Sequence, residues 1–406
     1  MMRRAAIVAP VRTPSGVEGG ALTGMPPDWL ATTVLSAVIE RSGIDPWRIE
    51  DVAMACVDGG VVGAPELSRL AARGAGLPFA VPGFLTDRRS GSGLQAVITA
   101  AMMVQTGAAD VVVAGGVECA ADPFAVDSVR TVELANAEEI ARHYGIRRSE
   151  ADEFAVASHR KAARAWRQGL FASEVIPVGV TAQPPGWSEP GFDTAGHRIL
   201  RDEGVRDDMS THTLGALRPL LSDGVVTVGN MSSHRHGASG CLVVAEDRLE
   251  ELGLTPMAFL VGWAAAGCDA DSATLGAAPA VAKLLGHTGF TLDEIDLIEV
   301  NEGFAVEVLA LAMEWDLDPR DRLNVNGSSI ALGHPVGATG LRIMTTMLHE
   351  LSRIEGRYGL EAIALGRDHG IAALFESAEV SPVVETPRGA RFHGIRPSRR
   401  PGRHRA

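Results

Sequence analysis

Residues 324–340 read NVNGSSIALGHPVGATG. Four glycines in this stretch permit tight turns and a close approach of backbone to a ligand. His334 sits between Gly333 and Pro335, and an apolar helical pattern follows over 338–354. A single histidine serves as a structural donor or as a base. The glycine frame and the helix start beside it suit a base. Just upstream, LIEVNEGFA places Asn301 and Glu302 at the end of a predicted strand. Strand ends are where α/β sheets build their sites.

An echo of this stretch lies in the first half of the chain. There, 87–104 reads DRRSGSGLQAVITAAMMV. SGSGLQAVITAAMMV and PVGATGLRIMTTML are both glycine-rich turns running into apolar helices, which hints at an internal duplication. Ser90 opens the first of them. Its hydroxyl has two readings: an N-cap for the helix, or a nucleophile in the field of the helix N-terminus.

Around these motifs, buried strand-like runs (RAAIVAP, DVAMACV, DVVVAGG, DLIEVN, EAIALG) alternate with helical patterns over 27–43, 92–107, 303–315 and 338–354. The alternation predicts an α/β fold with strongly buried sheets. From about 120 to 223 the character changes to charged helices followed by a Pro/Gly-rich loop, which reads as an insertion covering a site. The last stretch, RGARFHGIRPSRRPGRHRA, has no apolar periodicity and reads as a disordered basic tail.

Composition narrows the function classes. The chain has 406 residues, 46% hydrophobic and 21% charged, with net charge −13. Seven arginines and no acidic residue lie in 386–406, so the body is more acidic than the total suggests. An acidic body argues against nucleic-acid binding. Four scattered cysteines (Cys56, Cys119, Cys241, Cys268) suit a reducing, cytoplasmic setting, and Cys119 reads as a buried structural thiol. No run reads as a membrane span. The two lysines, Lys161 and Lys283, form no phosphate-binding loop.

The segments RTPSG (12–16), SGSGLQAV (90–97), VVVAGGVE (111–118), VTVGNMSS (226–233), LDEIDLIEVNEGFA (292–305) and 324–340 resemble the thiolase family, in the family's order, to about residue 377. NAEEIARHYGIRRSEADEFA (136–155) matches as well. The resemblance implies a thiolase fold: two similar halves in a five-layered αβαβα core with an inserted loop domain. It divides the chain into 1–118 plus 225–247 as the first half, 119–224 as the insertion, 248–378 as the second half and 379–406 as the tail. It implies an acyl-CoA substrate, no cofactor or metal, a homodimer or homotetramer, and scope for a partner enzyme subunit.

The family's catalytic set is two cysteines, a histidine and an asparagine. By resemblance the nucleophile position falls on Ser90, and His334 and Asn301 are kept. The backbone N–H groups of Ser90 and Gly366 form an oxyanion site, and Ser232 lines the coenzyme A channel. The second cysteine falls on Ala364, in ALGRDHG (364–370), where Arg367, Asp368 and His369 also depart from the family's glycines and methionine. The family's NEAF alanine is Gly303, and the turn RHGA (235–238) departs as well.

These changes carry a chemical cost. A helix N-terminus and a histidine can lower a thiol to a thiolate, but a hydroxyl must lose its proton to a base as it attacks. His334 is the expected base. Ala364 can hold no proton, and His369 is either a substitute or an ordinary loop histidine. His234 and His236 lack a third metal ligand and read as a solvated or CoA-facing loop. The expectation is a thiolase-like acyltransferase. The alternative is a non-catalytic thiolase-fold protein that binds acyl-CoA or a partner enzyme.

Overall fold

The computed structural model describes residues 3–17, 19–57, 66–119, 125–179, 192–193, 198–233, 236–269, 275–366 and 368–380. His234, Arg235, Arg367 and the basic tail from 381 onward lie outside the described residues.

The strands are β1 (Ala5–Arg12), β2 (Asp51–Ala55), β3 (Phe84–Thr86), β4 (Val111–Glu118), the short β5 (Val178–Gly179), β6 (Phe192–Asp193) and β7 (Arg198–Ile199), then β8 (Gly237–Ala245), β9 (Ala258–Gly267), β10 (Leu297–Val300), β11 (Tyr358–Leu365) and β12 (His369–Ser377). The helices are α1 (Pro27–Ser42), α2 (Leu67–Gly74), α3 (Ser92–Thr106), α4 (Ala125–Tyr144), α5 (Arg148–Arg167), α6 (Thr211–Gly215), α7 (Leu249–Leu252), α8 (Ala277–Thr288), α9 (Ala305–Glu314), α10 (Ser329–Leu332) and α11 (Thr339–Arg353).

The strand pairings show the duplication. In the first half β2 runs parallel to β4, β4 is antiparallel to β8, and β8 is antiparallel to β1. In the second half β10 runs parallel to β11, β11 is antiparallel to β12, and β12 is antiparallel to β9. Even the edge repeats: β3 pairs parallel with β2, and Leu323 bridges in parallel to Ile298 of β10. The two ladders join where Ala6 and Ile7 of β1 face Phe259 and Ala258 of β9, giving one nine-stranded sheet, β10-β11-β12-β9-β1-β8-β4-β2-β3.

Helices complete the layers. Helix α1 packs against β1, β4 and β8, and α8 against β9, β11 and β12. Between the two halves, α3 and α11 pack on each other and on both sets of strands. Their contact explains the glycines of the two echoing motifs. A Cβ on Gly93 would lie 2.8 Å from the Leu341 nitrogen, and one on Gly340 would lie 2.6 Å from the Leu94 nitrogen. Gly93-Leu94 and Gly340-Leu341 thus meet reciprocally across a pseudo-twofold axis, a backbone approach that any side chain would block.

The helical patterns at 27–43, 92–107, 303–315 and 338–354 are helices over 27–42, 92–106, 305–314 and 339–353. Three long antiparallel strands, β8, β9 and β12, have no counterpart among the strand-like runs read from sequence. Their Gly and Ala content lowers β propensity. Burial of β8 and most of β12, together with packing of helix α8 on β9 and β12, sustains them instead.

A buried ionic knot ties Glu174 and Asp202 to the end of β1. Arg12, at the end of β1, donates from Nε to Glu174 (2.6 Å) and from Nη1 to Asp202 (2.8 Å), and none of the three side chains is exposed beyond 1%. Thr346 of α11 donates to Glu174 as well, at 3.0 Å. Such a cluster is stable only when every charge is paired and hydrogen-bonded, and here the partners come from β1, the stretches after α5 and β7, and α11.

Candidate active site

Ser90 lies at the start of α3, but it is not the cap. The N-cap is Gly91, with no side-chain cap bond. The local hydroxyl bonds come instead from Ser92, which accepts from the Arg88 N–H (2.7 Å) and donates to the Arg89 carbonyl (2.6 Å). The N-cap reading of Ser90 is therefore corrected: Ser92 ties the turn, and the Ser90 hydroxyl is left for another partner. Arg89, immediately before it, has φ +48°, a left-handed conformation that costs energy in a non-glycine residue and is typical of functional turns.

That partner is His334. Ser90 Oγ lies 3.0 Å from His334 Nε2. The opposite ring nitrogen, Nδ1, lies 2.8 Å from Thr339 Oγ1, and the Thr339 hydroxyl lies 2.8 Å from the Pro335 carbonyl. These contacts fit the tautomer in which the Thr339 hydroxyl donates to the Pro335 carbonyl and accepts from His334 Nδ1–H. The Nε2 lone pair then faces Ser90, whose O–H donates to it. The imidazole is 5% exposed, so the pair is shielded from bulk water on the histidine side.

The loop carrying His334 is held from two directions. The His334 N–H donates to the Ser233 carbonyl (3.2 Å), and the neighbouring Ser232 N–H donates to the Gly303 carbonyl (2.9 Å). Backbone hydrogen bonds thus lace the 301–304, 231–233 and 333–334 segments together, with Met231 bridged to Phe304. From the first half, Glu118 at the end of β4 accepts from the Gly337 N–H at 2.9 Å. The residues after His334 are so close to β4 that a Cβ on Gly337 would lie 2.5 Å from the Val117 carbonyl oxygen.

Asn301 follows β10 directly. Its N–H donates to the Ala362 carbonyl (3.1 Å), and its Oδ1 accepts from Ser329 Oγ (2.6 Å). Ser329 in turn lies 2.9 Å from Arg342 Nη2. Glu302, next in sequence, is a structural anchor. Its buried carboxylate accepts from Ser158 (2.7 Å), Asn324 (3.0 Å) and the Ile330 N–H (3.1 Å). Burial raises its pKa while these donors oppose the rise.

Ala364 and Gly366 lie at the β11–β12 turn, where Ala364 pairs with Gly370 and Gly366 is left-handed at φ +68°. This turn packs on the Ser90 loop. A Cβ on Gly91 would meet Leu365 and Ile371, and one on Gly366 would meet the Arg89 guanidinium. His369 Nδ1 bonds to Asp368 at 2.6 Å, a pair that lowers the Asp368 pKa, and the His369 side chain makes no hydrogen bond to Ser90 or His334. His236 is buried with its backbone paired to Gly16, and no group of three potential metal ligands exists among the described residues. Cys119 is buried in the core after β4, as expected of a structural thiol.

Sequence reasoning missed Thr339, Ser329 and Arg342. A hydroxyl five residues after His334, on the first turn of the helix that follows it, was a usable signal for Thr339. An arginine in the first turn of the helix, among the apolar residues Leu341, Ile343 and Met344, was one for Arg342.

Fold and site together define a duplicated α/β protein with a serine–histidine pair where its halves meet. The family model described as Thiolase, N-terminal domain matches residues 5–131 and 129–247, and that described as Thiolase, C-terminal domain matches 254–377. A probable acetyl-CoA acyltransferase of Staphylococcus aureus is 36% identical over 403 residues, covering 92% of this chain and 99% of that protein. An acetyl-CoA acetyltransferase of Chromobacterium violaceum is 35% identical over 401 residues, covering 91% and 99%. Among solved structures, human mitochondrial 3-ketoacyl-CoA thiolase superposes with TM-score 0.85 at 30% identity, covering 93% of this chain and 99% of that one. The acetyl-CoA acetyltransferase of Bacillus anthracis superposes with TM-score 0.84 at 34% identity, again covering 93% and 99%. The chain belongs to the thiolase family, and its fold is the thiolase fold.

Proposed function

We propose that the protein is a thiolase-type acyltransferase that takes an acyl group from a coenzyme A thioester onto Ser90. The observation that carries this reading is the 3.0 Å contact between Ser90 Oγ and His334 Nε2. As Oγ attacks the thioester carbonyl, its proton passes to His334 Nε2 and a carbon–oxygen bond forms. The tetrahedral oxyanion is met by the backbone N–H groups of Ser90 and Gly366, at the positive end of α3. The carbon–sulfur bond then breaks, and the coenzyme A thiolate takes the proton from His334. Ser232, laced to the Asn301 loop, lines the coenzyme A channel. One half spans 1–118 plus 225–247 and the other 248–378; the insertion 119–224 covers the site between them, and 379–406 is a basic tail.

The product of this step is an oxygen ester, and Ala364 stands where the family carries its second cysteine. Claisen chemistry needs a group there to take a proton from the acyl α-carbon, and a methyl supplies none. That residue favours a second reading: a thiolase-fold protein that binds acyl-CoA, or partners another enzyme subunit, without carbon–carbon chemistry. Intact-protein mass spectrometry after incubation with acetyl-CoA and longer acyl-CoAs separates the two. The first reading expects an acyl mass increment on Ser90, slowed by roughly 10²–10⁴-fold in His334→Ala, the usual contribution of a general base. Ligand binding with no adduct from any donor hands the case to the second. Thiolysis of acetoacetyl-CoA is expected to be weak. Ser90→Cys combined with Ala364→Cys should raise it more than the two single changes predict together, because both thiols act on one reaction path.

A further inference from the structure

We infer that Ser329 and Arg342 are positioning residues that fix the polarity of the Asn301 amide, so that its oxygen is turned to Ser329 and its NH₂ group is presented to the acyl site. This rests on the reading of Asn301 as a group facing the reacting thioester.

The argument is one of proton bookkeeping. A guanidinium has only donors. Arg342 Nη2 lies 2.9 Å from Ser329 Oγ and 3.4 Å from Ser328 Oγ, so Ser329 is obliged to accept from it. Its one proton is then free to point elsewhere, and its other side-chain hydrogen-bond partner among the described residues is Asn301, at 2.6 Å. A hydroxyl that donates must meet an acceptor, so the asparagine atom facing it is the carbonyl oxygen. The amide nitrogen faces the other way and has no hydrogen-bond partner among the described residues. Ser329 is 0% exposed, Arg342 2% and Asn301 7%, so water does not compete for these bonds and the chain of roles is not averaged away.

The arrangement mirrors the one at His334. There the Thr339 hydroxyl lies between the Pro335 carbonyl, to which it donates, and the imidazole Nδ1. Here an obligate donor, Arg342, makes the Ser329 hydroxyl donate to the amide. One hydroxyl turns a base towards the nucleophile. The other turns the amide oxygen to Ser329 and leaves the two amide N–H donors for the thioester that Asn301 is read as facing, beside the backbone donors of Ser90 and Gly366.

Neutron diffraction on the wild-type protein reads the assignment directly. The expected map has the Ser329 deuterium pointing at Asn301 and the amide deuteriums on the atom facing away from Ser329; the opposite amide orientation overturns the inference. The kinetic arm follows acyl-adduct formation on Ser90. Ser329→Ala should slow it about tenfold or more with little change in acyl-CoA affinity, since misaimed groups cost rate rather than binding. Ser329→Thr, which keeps the hydroxyl, should restore it. In an Asn301→Ala background, Ser329→Ala should have no further effect. Equal slowing in both backgrounds would mean that Ser329 acts on packing alone, and the inference would fall. If the wild type forms no adduct, the acyl-transfer reading is what fails, and the neutron map still decides the amide.

Discussion

At the residue scale, the site works by assigning each polar atom a single role. Thr339 is the clearest case, since its hydroxyl satisfies the Pro335 carbonyl and His334 Nδ1 at once. Thr339→Val keeps the shape and removes both bonds. The Nδ1–H then loses its acceptor, and either tautomer becomes available. Ser90 acylation should fall by about tenfold or more, and stability by ~1–3 kcal/mol for the buried polar groups left unpaired. Thr339→Ser should recover most of both. Acyl-adduct kinetics and a denaturant melt check this, and unchanged kinetics in the valine variant would remove Thr339 from the mechanism. Ser90, His334 and Asn301 stand out in the sequence because glycines and a strand end frame them, and the structure brings Ser90 against His334. Thr339 and Ser329 do not. A buried hydroxyl looks like any other serine or threonine until its neighbours are known, and the neighbours that define these two, Arg342 and the Pro335 carbonyl, act through side-chain directions that sequence spacing does not reveal.

At the element scale, the fold depends on how closely two helices approach. Strands β1, β2, β4, β10 and β11 and helices α1, α3, α9 and α11 were readable, since Val- and Ile-rich runs and helical periodicity are local signals. The antiparallel strands β8, β9 and β12 were not, because GASGCLVVA, AFLVGWAAAG and HGIAALFES are strands by virtue of what covers them. The echo between the two glycine-rich motifs pointed to duplication, and the reciprocal Gly93–Leu341 and Gly340–Leu94 approach is its physical meaning. Gly340→Ala would place a methyl 2.6 Å from the Leu94 nitrogen and 2.8 Å from its Cβ. Neither α3 nor α11 can yield without moving Ser90 or His334. The substitution should cost ~1–3 kcal/mol as overpacking and slow Ser90 acylation as well, because the 3.0 Å contact spans the two halves. Thermal melts and adduct kinetics on the same sample test the coupling. A full loss of stability with normal acylation of the folded fraction would show that the helix contact and the site are independent.

At the scale of the whole molecule, the second half encloses more buried carboxyls than nearby cations can neutralise. Glu299 of β10 and Glu361 of β11 are direct neighbours in the parallel ladder. Both side chains are buried, and neither Glu361 oxygen has a hydrogen-bond partner among the described residues. Burial pushes the Glu299 carboxyl up to about 8, with Glu302 and Glu350 adding to the rise and Arg342 of α11 and Lys161 of α5 opposing it. Burial raises Glu361 well above its usual range too, with Glu299 adding and Arg342 opposing. The consequence for stability has a definite sign. A carboxyl whose pKa is raised on folding keeps its proton in the native state at a pH where the unfolded chain has lost it. Native protein therefore binds more protons between the unfolded value near 4.5 and the folded value near 8, and stability falls as pH rises through that window. The loss is on the order of a few kcal/mol for shifts of this size. Glu361→Gln removes one ionisable group and one like-charged neighbour of Glu299 while keeping the shape. It should be close to wild type near pH 5 and progressively more stable than wild type towards pH 8, when denaturant melts are compared across that range. Parallel curves for the two proteins would mean that Glu361 is matched by a partner in solution and that the carboxyl pair does not set the pH dependence.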